Sequence, residues 1–104
     1  MTKATFYFDE NVPYGFLISG HSGFAESGED IVCASISSVA YMVANTITEI
    51  LNVNAEINIT DGRMKLIVNK EQRHITKDIL LGLKLHLEGL EEQYPEFLET
   101  LTEV

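Results

Sequence analysis

The stretch DIVCASISSVAYMVANTITEIL, residues 30–51, separates two parts of the chain that both have the character of β-hairpins. Apolar side chains recur in it at intervals of three and four residues, which is the period of one face of an α-helix. Asn52 and Asn54 follow it and favour its termination. The stretch is therefore predicted to form a helix whose apolar face is directed at a core. That face carries Val32, Ile36, Val39, Val43, Ile47 and Ile50.

Strand-like segments lie on both sides of this helix. Residues 4–8 (ATFYF) and 16–22 (FLISGHS) are rich in apolar, β-prone side chains, and a turn containing one proline and one glycine separates them. Residues 55–60 and 63–69 alternate polar and apolar side chains around Asp61-Gly62, a dipeptide typical of two-residue hairpin turns. Each pair of segments therefore predicts an antiparallel hairpin.

A second helix is predicted in the C-terminal part. Residues 70–94 return to helical spacing, and Pro95 is expected to end the helix. We interpret residues 96–104 as a short helical tail. The apolar stripe is expected to comprise Ile75, Ile79, Leu83, Leu87 and Leu90, widened by Leu80, Leu81 and Leu85. The order ββαββα predicts a single α+β domain over residues 1–104, with a four-stranded, mainly antiparallel sheet and two helices on one of its faces.

Composition excludes some classes of protein. The chain has 104 residues and a single cysteine, so an intrachain disulfide is impossible and a cytoplasmic location is expected. No signal peptide is apparent in the first residues, and we expect no membrane span. The formal net charge of −9 disfavours direct binding of nucleic acid and favours basic partners such as a Lys/Arg-rich peptide.

The only cysteine lies where the first helix is predicted to begin. Asp30 is expected to be the N-cap, which would place Cys33 in the first turn, where unpaired N–H groups stabilise a thiolate or an oxyanion. His21 ends the preceding strand, and residues 22–29 form a glycine-containing loop long enough to bring its imidazole to the thiol. We expect this loop to move when substrate binds. Ser37 is one helical turn beyond Cys33 and faces the same side.

Other interpretations of these residues exist. A lone cysteine near a helix start is often a small buried apolar residue, and a histidine flanked by glycine can simply cap a turn. One cysteine and three scattered histidines lack the density of a zinc site, so we expect no metal ion. The sequence also has no phosphate-binding loop and no dinucleotide fingerprint, so we expect no cofactor.

A longer motif surrounds the cysteine and the histidine. It comprises Gly20-His21-Ser22-Gly23, Gly28, Asp30-Ile31-Val32-Cys33-Ala34 and Ser37. This pattern resembles the signature of the ribosomal-processing cysteine protease family, Prp, over about a sixth of the chain. Chain length, the order of elements and the acidic, leucine-rich C-terminal part also agree with that family.

The resemblance implies an activity and roles for individual residues. It implies a bacterial cytosolic cysteine endopeptidase in which Cys33 is the nucleophile and His21 the general base. Gly20, Asp30 and Ser37 match further family positions and are expected to support the site. The implied substrate is the precursor of a large-subunit ribosomal protein, which loses a short N-terminal extension by cleavage after an aromatic residue. The resemblance also implies a homodimer, for which the leucine surface of the second helix is a candidate interface.

Substrate selection requires a pocket for the residue that precedes the scissile bond. We expect Gly23, Phe24 and Gly28 to contact substrate, and Phe24, Ile36 or Tyr41 to form apolar walls beside the thiol. Two other hypotheses remain at this point. One is a non-catalytic module that binds a ribosomal protein or a ribosome-assembly intermediate through the same groove. The other is a thiol redox sensor, although the chain lacks a resolving cysteine.

Overall fold

The computed structural model describes residues 1–20 and 29–104 of the chain. They form five strands and two long helices. In chain order these are β1 (Thr2–Asp9), β2 (Val12–Ser19), α1 (Glu29–Asn45) with a π-helical extension (Thr46–Ile50), β3 (Ala55–Thr60), β4 (Arg63–Val68), a 3-10 turn (Lys70–Gln72), α2 (Arg73–Gln93) and β5 (Leu98–Glu103).

The strands form one mixed sheet in the order β3-β4-β2-β1-β5. The two predicted hairpins are present, and β2 pairs antiparallel with β4 to join them. The helical tail predicted for residues 96–104 is wrong. These residues instead include β5, which pairs in parallel with β1 from Thr2 opposite Leu98 to Tyr7 opposite Glu103. The sheet therefore has five strands among the described residues, one more than predicted.

The physical reason for β5 lies at the edge of the sheet. Without it, β1 would expose a row of unpaired backbone groups. The tail alternates Leu98, Thr100 and Thr102 on one face of the sheet, and Leu98 is completely buried there. Burial of this leucine and pairing along β1 outweigh the weak helical spacing that the sequence suggested.

The first hairpin differs from the prediction in its turn. The chain reverses at Glu10 and Asn11, which have φ values of 50° and 67°. Positive φ at both positions is characteristic of the type I′ turns that join twisted strands. Pro13 and Gly15, which were assigned to the turn, lie inside β2. Pro13 is accommodated because the pairing of β1 and β2 is irregular beside it.

Both helices cover the same face of the sheet. Their buried residues join those of the strands in a single core cluster. The sheet contributes Ala4, Phe6, Phe16, Ile18, Met64, Leu66, Val68 and Leu98, α1 and its extension contribute Val32, Ile36, Ala40, Val43, Ala44 and Ile47, and α2 contributes Leu80, Leu83 and Leu87. The two-layer arrangement with two helices on one face is thus as predicted.

Four residues of the predicted helix faces lie outside the core, namely Ile50, Ile75, Leu81 and Leu85. Ile50 is 71% exposed because the π-helical turn, closed by the Leu51 N–H to the Thr46 carbonyl, rotates the end of the helix away from the sheet. Ile75 is 41% exposed, and the buried face of α2 begins instead at the adjacent Thr76, which is completely buried.

One helical segment is more apolar than the composition suggested. Asp30–Ile50 has the length and hydropathy of a membrane span, contrary to the expectation that no run approaches one. Helices in the core of water-soluble domains pass the same test, and this helix packs its apolar stripe against the sheet. The observation is therefore weak evidence for a membrane.

Candidate active site

Cys33 lies near the beginning of α1, at a different position in the helix from that predicted. The helix begins at Glu29, so Asp30 is an exposed residue of its first turn and the prediction that it is the N-cap is wrong. Cys33 is therefore the fifth residue of the helix, whereas the prediction placed it among the first three. Helical side chains lean toward the N-terminus, so the half-buried thiol still lies beside the first turn.

The Cys33 thiol contacts the beginning of β1. Its Sγ lies 3.8 Å from the Thr2 Oγ1. The Thr2 hydroxyl donates its single proton to the Gly20 carbonyl at 3.0 Å, so its oxygen is left to accept from the S–H group. Thr2 is itself only 3% exposed. The thiol is thus held by a hydroxyl whose own orientation is fixed by the end of β2.

Gly20 joins three parts of the sheet at this point. Its N–H donates to the Gly62 carbonyl at 2.9 Å, which ties the end of β2 to the β3–β4 turn. It has a φ of 98°, a conformation that residues with a Cβ rarely adopt. A Cβ at Gly20 would lie 2.5 Å from the Met1 carbonyl oxygen. Glycine is therefore required for the close approach of β1 and β2 beneath Cys33.

A cleft of about 380 Å³ extends from Cys33 across the ends of the strands. One wall is α1, and the other is formed by the end of β2 and the β3–β4 hairpin. The lining residues are Thr2, Ile18, Gly20, Asp30, Cys33, Ile36, Ser37, Ala40, Tyr41, Ile59, Thr60, Asp61, Gly62, Arg63 and Met64. The cleft thus combines the Cys33 thiol with several apolar side chains, which is typical of sites for peptides or other partly apolar ligands.

Some of the predicted site residues meet in this cleft. Gly20, Asp30, Cys33 and Ser37 all line it, although the roles of Asp30 and Ser37 stay predictions. Ile36 and Tyr41, the candidate walls on α1, line it as well. Ile36 is nearly buried and forms part of the floor, whereas Tyr41 is 44% exposed.

The other predicted site residues lie outside the described part of the chain. These are His21, Gly23, Phe24 and Gly28. The same applies to most of the loop at residues 22–29 and to its expected motion.

No sequence pattern indicated Thr2 or most of the hairpin wall. Thr2 is 31 positions from Cys33 and belongs to no motif, so only the pairing of β1 beside β2 reveals the contact. The Asp61-Gly62 turn was recognised as a turn, but nothing local indicated that it faces the helix start. Its position follows from the pairing of β2 with β4, which connects the two hairpins.

The arrangement is suited to nucleophilic chemistry by the thiol. Across residues 1–20 and 29–104, no three His, Cys, Asp or Glu side chains are close enough to hold a metal ion. A thiol beside the N-terminus of a helix, at one end of a partly apolar cleft, matches the nucleophile site of a thiol peptidase. The fold and the cleft are thus compatible with a cysteine protease, and comparison with known proteins decides the class.

The chain belongs to a family of cysteine proteases. A family model described as "Cysteine protease Prp" matches residues 1–99. A Bacillus subtilis protein named ribosomal processing cysteine protease Prp is 26% identical over 95 residues, which cover 86% of this chain and 85% of the relative. A Staphylococcus aureus protein of the same name is 29% identical over 90 residues, with 85% of both chains covered.

Solved structures agree with this assignment. A Prp from S. aureus in complex with a substrate peptide superimposes with a TM-score of 0.89 at 23% identity, covering 99% of this chain and 100% of the other, and shows that the fold is shared. A second S. aureus Prp structure, with a covalently linked product peptide, has a TM-score of 0.85 at 25% identity and the same coverage.

Proposed function

We propose that this chain is an endopeptidase that removes the N-terminal extension of a bacterial large-subunit ribosomal protein, with Cys33 as nucleophile and His21 as general base. The observation that carries the proposal is the half-buried Cys33 thiol at one end of a partly apolar cleft, held by Thr2 beside the start of α1. The names of the B. subtilis and S. aureus relatives support the ribosomal substrate.

The proposed reaction proceeds through an acyl-enzyme. His21 takes the thiol proton, and the Cys33 sulfur attacks the scissile carbonyl carbon to give a tetrahedral oxyanion. Backbone N–H groups at the start of α1 provide partial positive charge for that oxyanion. The imidazolium then protonates the leaving amine, and water hydrolyses the thioester with His21 again acting as base.

The apolar part of the cleft is the proposed site of the residue before the scissile bond. Ile36, Ala40 and Tyr41 line the cleft from α1, and Met64 lines it from β4, the strand that pairs with β3. An aromatic side chain would be buried there, and Phe24 is a further candidate wall. Burial of such a ring contributes about 1.5–3 kcal/mol, enough to select the cleavage site.

Charge and location support the same role. A net charge of −9 attracts a basic ribosomal protein and disfavours direct contact with nucleic acid. The free thiol is compatible with the cytoplasm, where we propose the protein acts.

We also propose a homodimer. Leu81 and Leu85 on α2 are 42% and 72% exposed, and Ile75 lies about two to three turns before them on the same helix. Leu85→Glu should shift the protein toward monomer in sedimentation velocity, whereas a substitution of the exposed Ile50 to Glu should not.

The deciding experiment is incubation with the precursor ribosomal protein followed by intact-mass measurement. Wild-type protein should shorten the precursor by one defined N-terminal segment, and Cys33→Ala should bind the precursor without shortening it. Binding without cleavage by wild-type protein would support the alternative of a non-catalytic module for a ribosomal protein or assembly intermediate. Cleavage at the wild-type rate by Cys33→Ala would refute the assignment of the nucleophile.

A further inference from the structure

Strand β3 has an open edge with an apolar side. It lies at the end of the sheet, and within residues 1–20 and 29–104 no strand pairs with its outer edge. Ile57 and Ile59 are 39% and 49% exposed. They pair with Leu66 and Met64, which belong to the core, so they lie on the helix-bearing face of the sheet, where the described helices leave them exposed.

This apolar edge is continuous with the cleft. Ile59 and Thr60 line the cleft, and Tyr41 lines it from the opposite wall. Cys33 contacts β1, which is three strand spacings from β3, or about 14 Å. An extended peptide rises about 3.3 Å per residue, so roughly four residues separate a carbonyl at Cys33 from the edge of β3.

The backbone of β3 is suited to accept another strand. In a two-residue hairpin the flanking pair, here Thr60 and Arg63, is a hydrogen-bonded pair, and such pairs alternate along the ladder. Ile57 and Ile59 belong to the intervening pairs that are not hydrogen-bonded to β4. Their N–H and C=O groups therefore point away from β4, toward the open edge. Edge strands are normally protected by proline, charged side chains or a bulge. β3 has no proline and no bulge, and its one charged residue, Glu56, lies on the face opposite to Ile57 and Ile59.

We propose that the edge of β3 binds the substrate as an additional strand, through residues that begin about four positions before the scissile bond. The segment would have apolar side chains at every second position, in contact with Ile57 and Ile59. This proposal rests on the proposed function and on the placement of the aromatic residue between Cys33 and Tyr41. That placement directs the amino-terminal side of the substrate toward β3 and the carboxyl-terminal side away from it.

The test uses synthetic peptides and a chain that cannot cleave them. Three fluorescent peptides share a core with one phenylalanine before the scissile bond. One is the core alone, one adds alternating leucine and threonine on the amino side, and one adds the same residues on the carboxyl side. Fluorescence anisotropy with Cys33→Ala should show about tenfold tighter binding of the amino-extended peptide than of the other two, from burial of the leucines and the added backbone hydrogen bonds.

Matched variants locate the effect on β3. Ile57→Thr in the Cys33→Ala chain should remove most of the tenfold gain. Leu101→Thr is the control, because Leu101 is 40% exposed on the opposite edge strand, β5. It should preserve the gain. With unsubstituted β3, two N-methylated versions of the added segment should differ. Methylation of the alternate amides that face β3 should abolish the gain in affinity, and methylation of the amides between them should leave it unchanged.

The outcomes separate this inference from the proposed function. Equal affinity for the core and the amino-extended peptide would overturn the inference, as would equal effects of Ile57→Thr and Leu101→Thr. A change in sedimentation coefficient on Ile57→Thr, with the gain in affinity intact, would mean that the edge joins two copies of the chain and would also overturn it. Tight binding of the amino-extended peptide without cleavage by wild-type protein would instead contradict the proposed activity.

Discussion

Gly20→Ala tests whether the end of β2 supports the site as described. At a φ of 98° an alanine is strained, and its Cβ would lie 2.5 Å from the Met1 carbonyl oxygen. Met1 cannot move freely, because the adjacent Thr2 N–H donates to the Phe97 carbonyl at 2.9 Å. Backbone strain at such a position costs about 1–3 kcal/mol. With the close contact added, we expect a loss of about 2–4 kcal/mol in the free energy of unfolding.

The assay is urea denaturation, with Gly82→Ala as the matched control. Gly82 lies in α2, and a Cβ there would meet no atom within 4 Å. Alanine at that position should stabilise the helix by up to about 1 kcal/mol. Gly20→Ala should also lower the rate of precursor cleavage under conditions where it remains folded, since Gly20 lines the cleft and its displacement would deform that wall. A free energy of unfolding within about 0.5 kcal/mol of wild type would refute the reasoning.

Three further predictions concern the thiol, its partner and the edge of the sheet. His21→Ala should reduce cleavage about 10²- to 10⁴-fold, as expected for loss of general acid–base catalysis, and an unchanged rate would exclude it as the base. Thr2→Val removes the acceptor that holds the Cys33 S–H group, so alkylation by iodoacetamide at neutral pH should accelerate about two- to threefold, while Thr2→Ser should react at the wild-type rate. Burial, and secondarily Glu103 on β5, raises the pKa of the Tyr7 phenol. Because the folded state then holds this proton more tightly, its contribution to stability is lost as the pH rises through the raised pKa. Glu103→Gln should lower that pKa in an absorbance titration, and no change would argue against the pairing of β5 with β1.

Local pattern predicted most of the elements. The period of apolar residues in α1 and α2 and the Asp61-Gly62 turn each depend on interactions within a few residues, so the sequence alone indicates them. Pro95 was expected to end α2, and the helix does end at Gln93. The motif around Cys33 likewise led to the protease family.

Partners that are distant in sequence required the tertiary structure. Residues 98–103 have no decisive local preference, and they become β5 because β1 offers an unpaired edge and the core accepts Leu98. The contact between Thr2 and Cys33 depends on the same strand order.

The cleft shows this division within a single site. The sequence placed Cys33 near a helix start and placed Ser37 and Tyr41 along the same side of that helix, because helical periodicity fixes their relative positions. It did not indicate the β3–β4 hairpin, which forms the opposite wall together with the predicted Gly20. That wall exists because β2 pairs with β4, and the energy of this pairing comes from side chains buried together in the core and not from any preference of the hairpins alone.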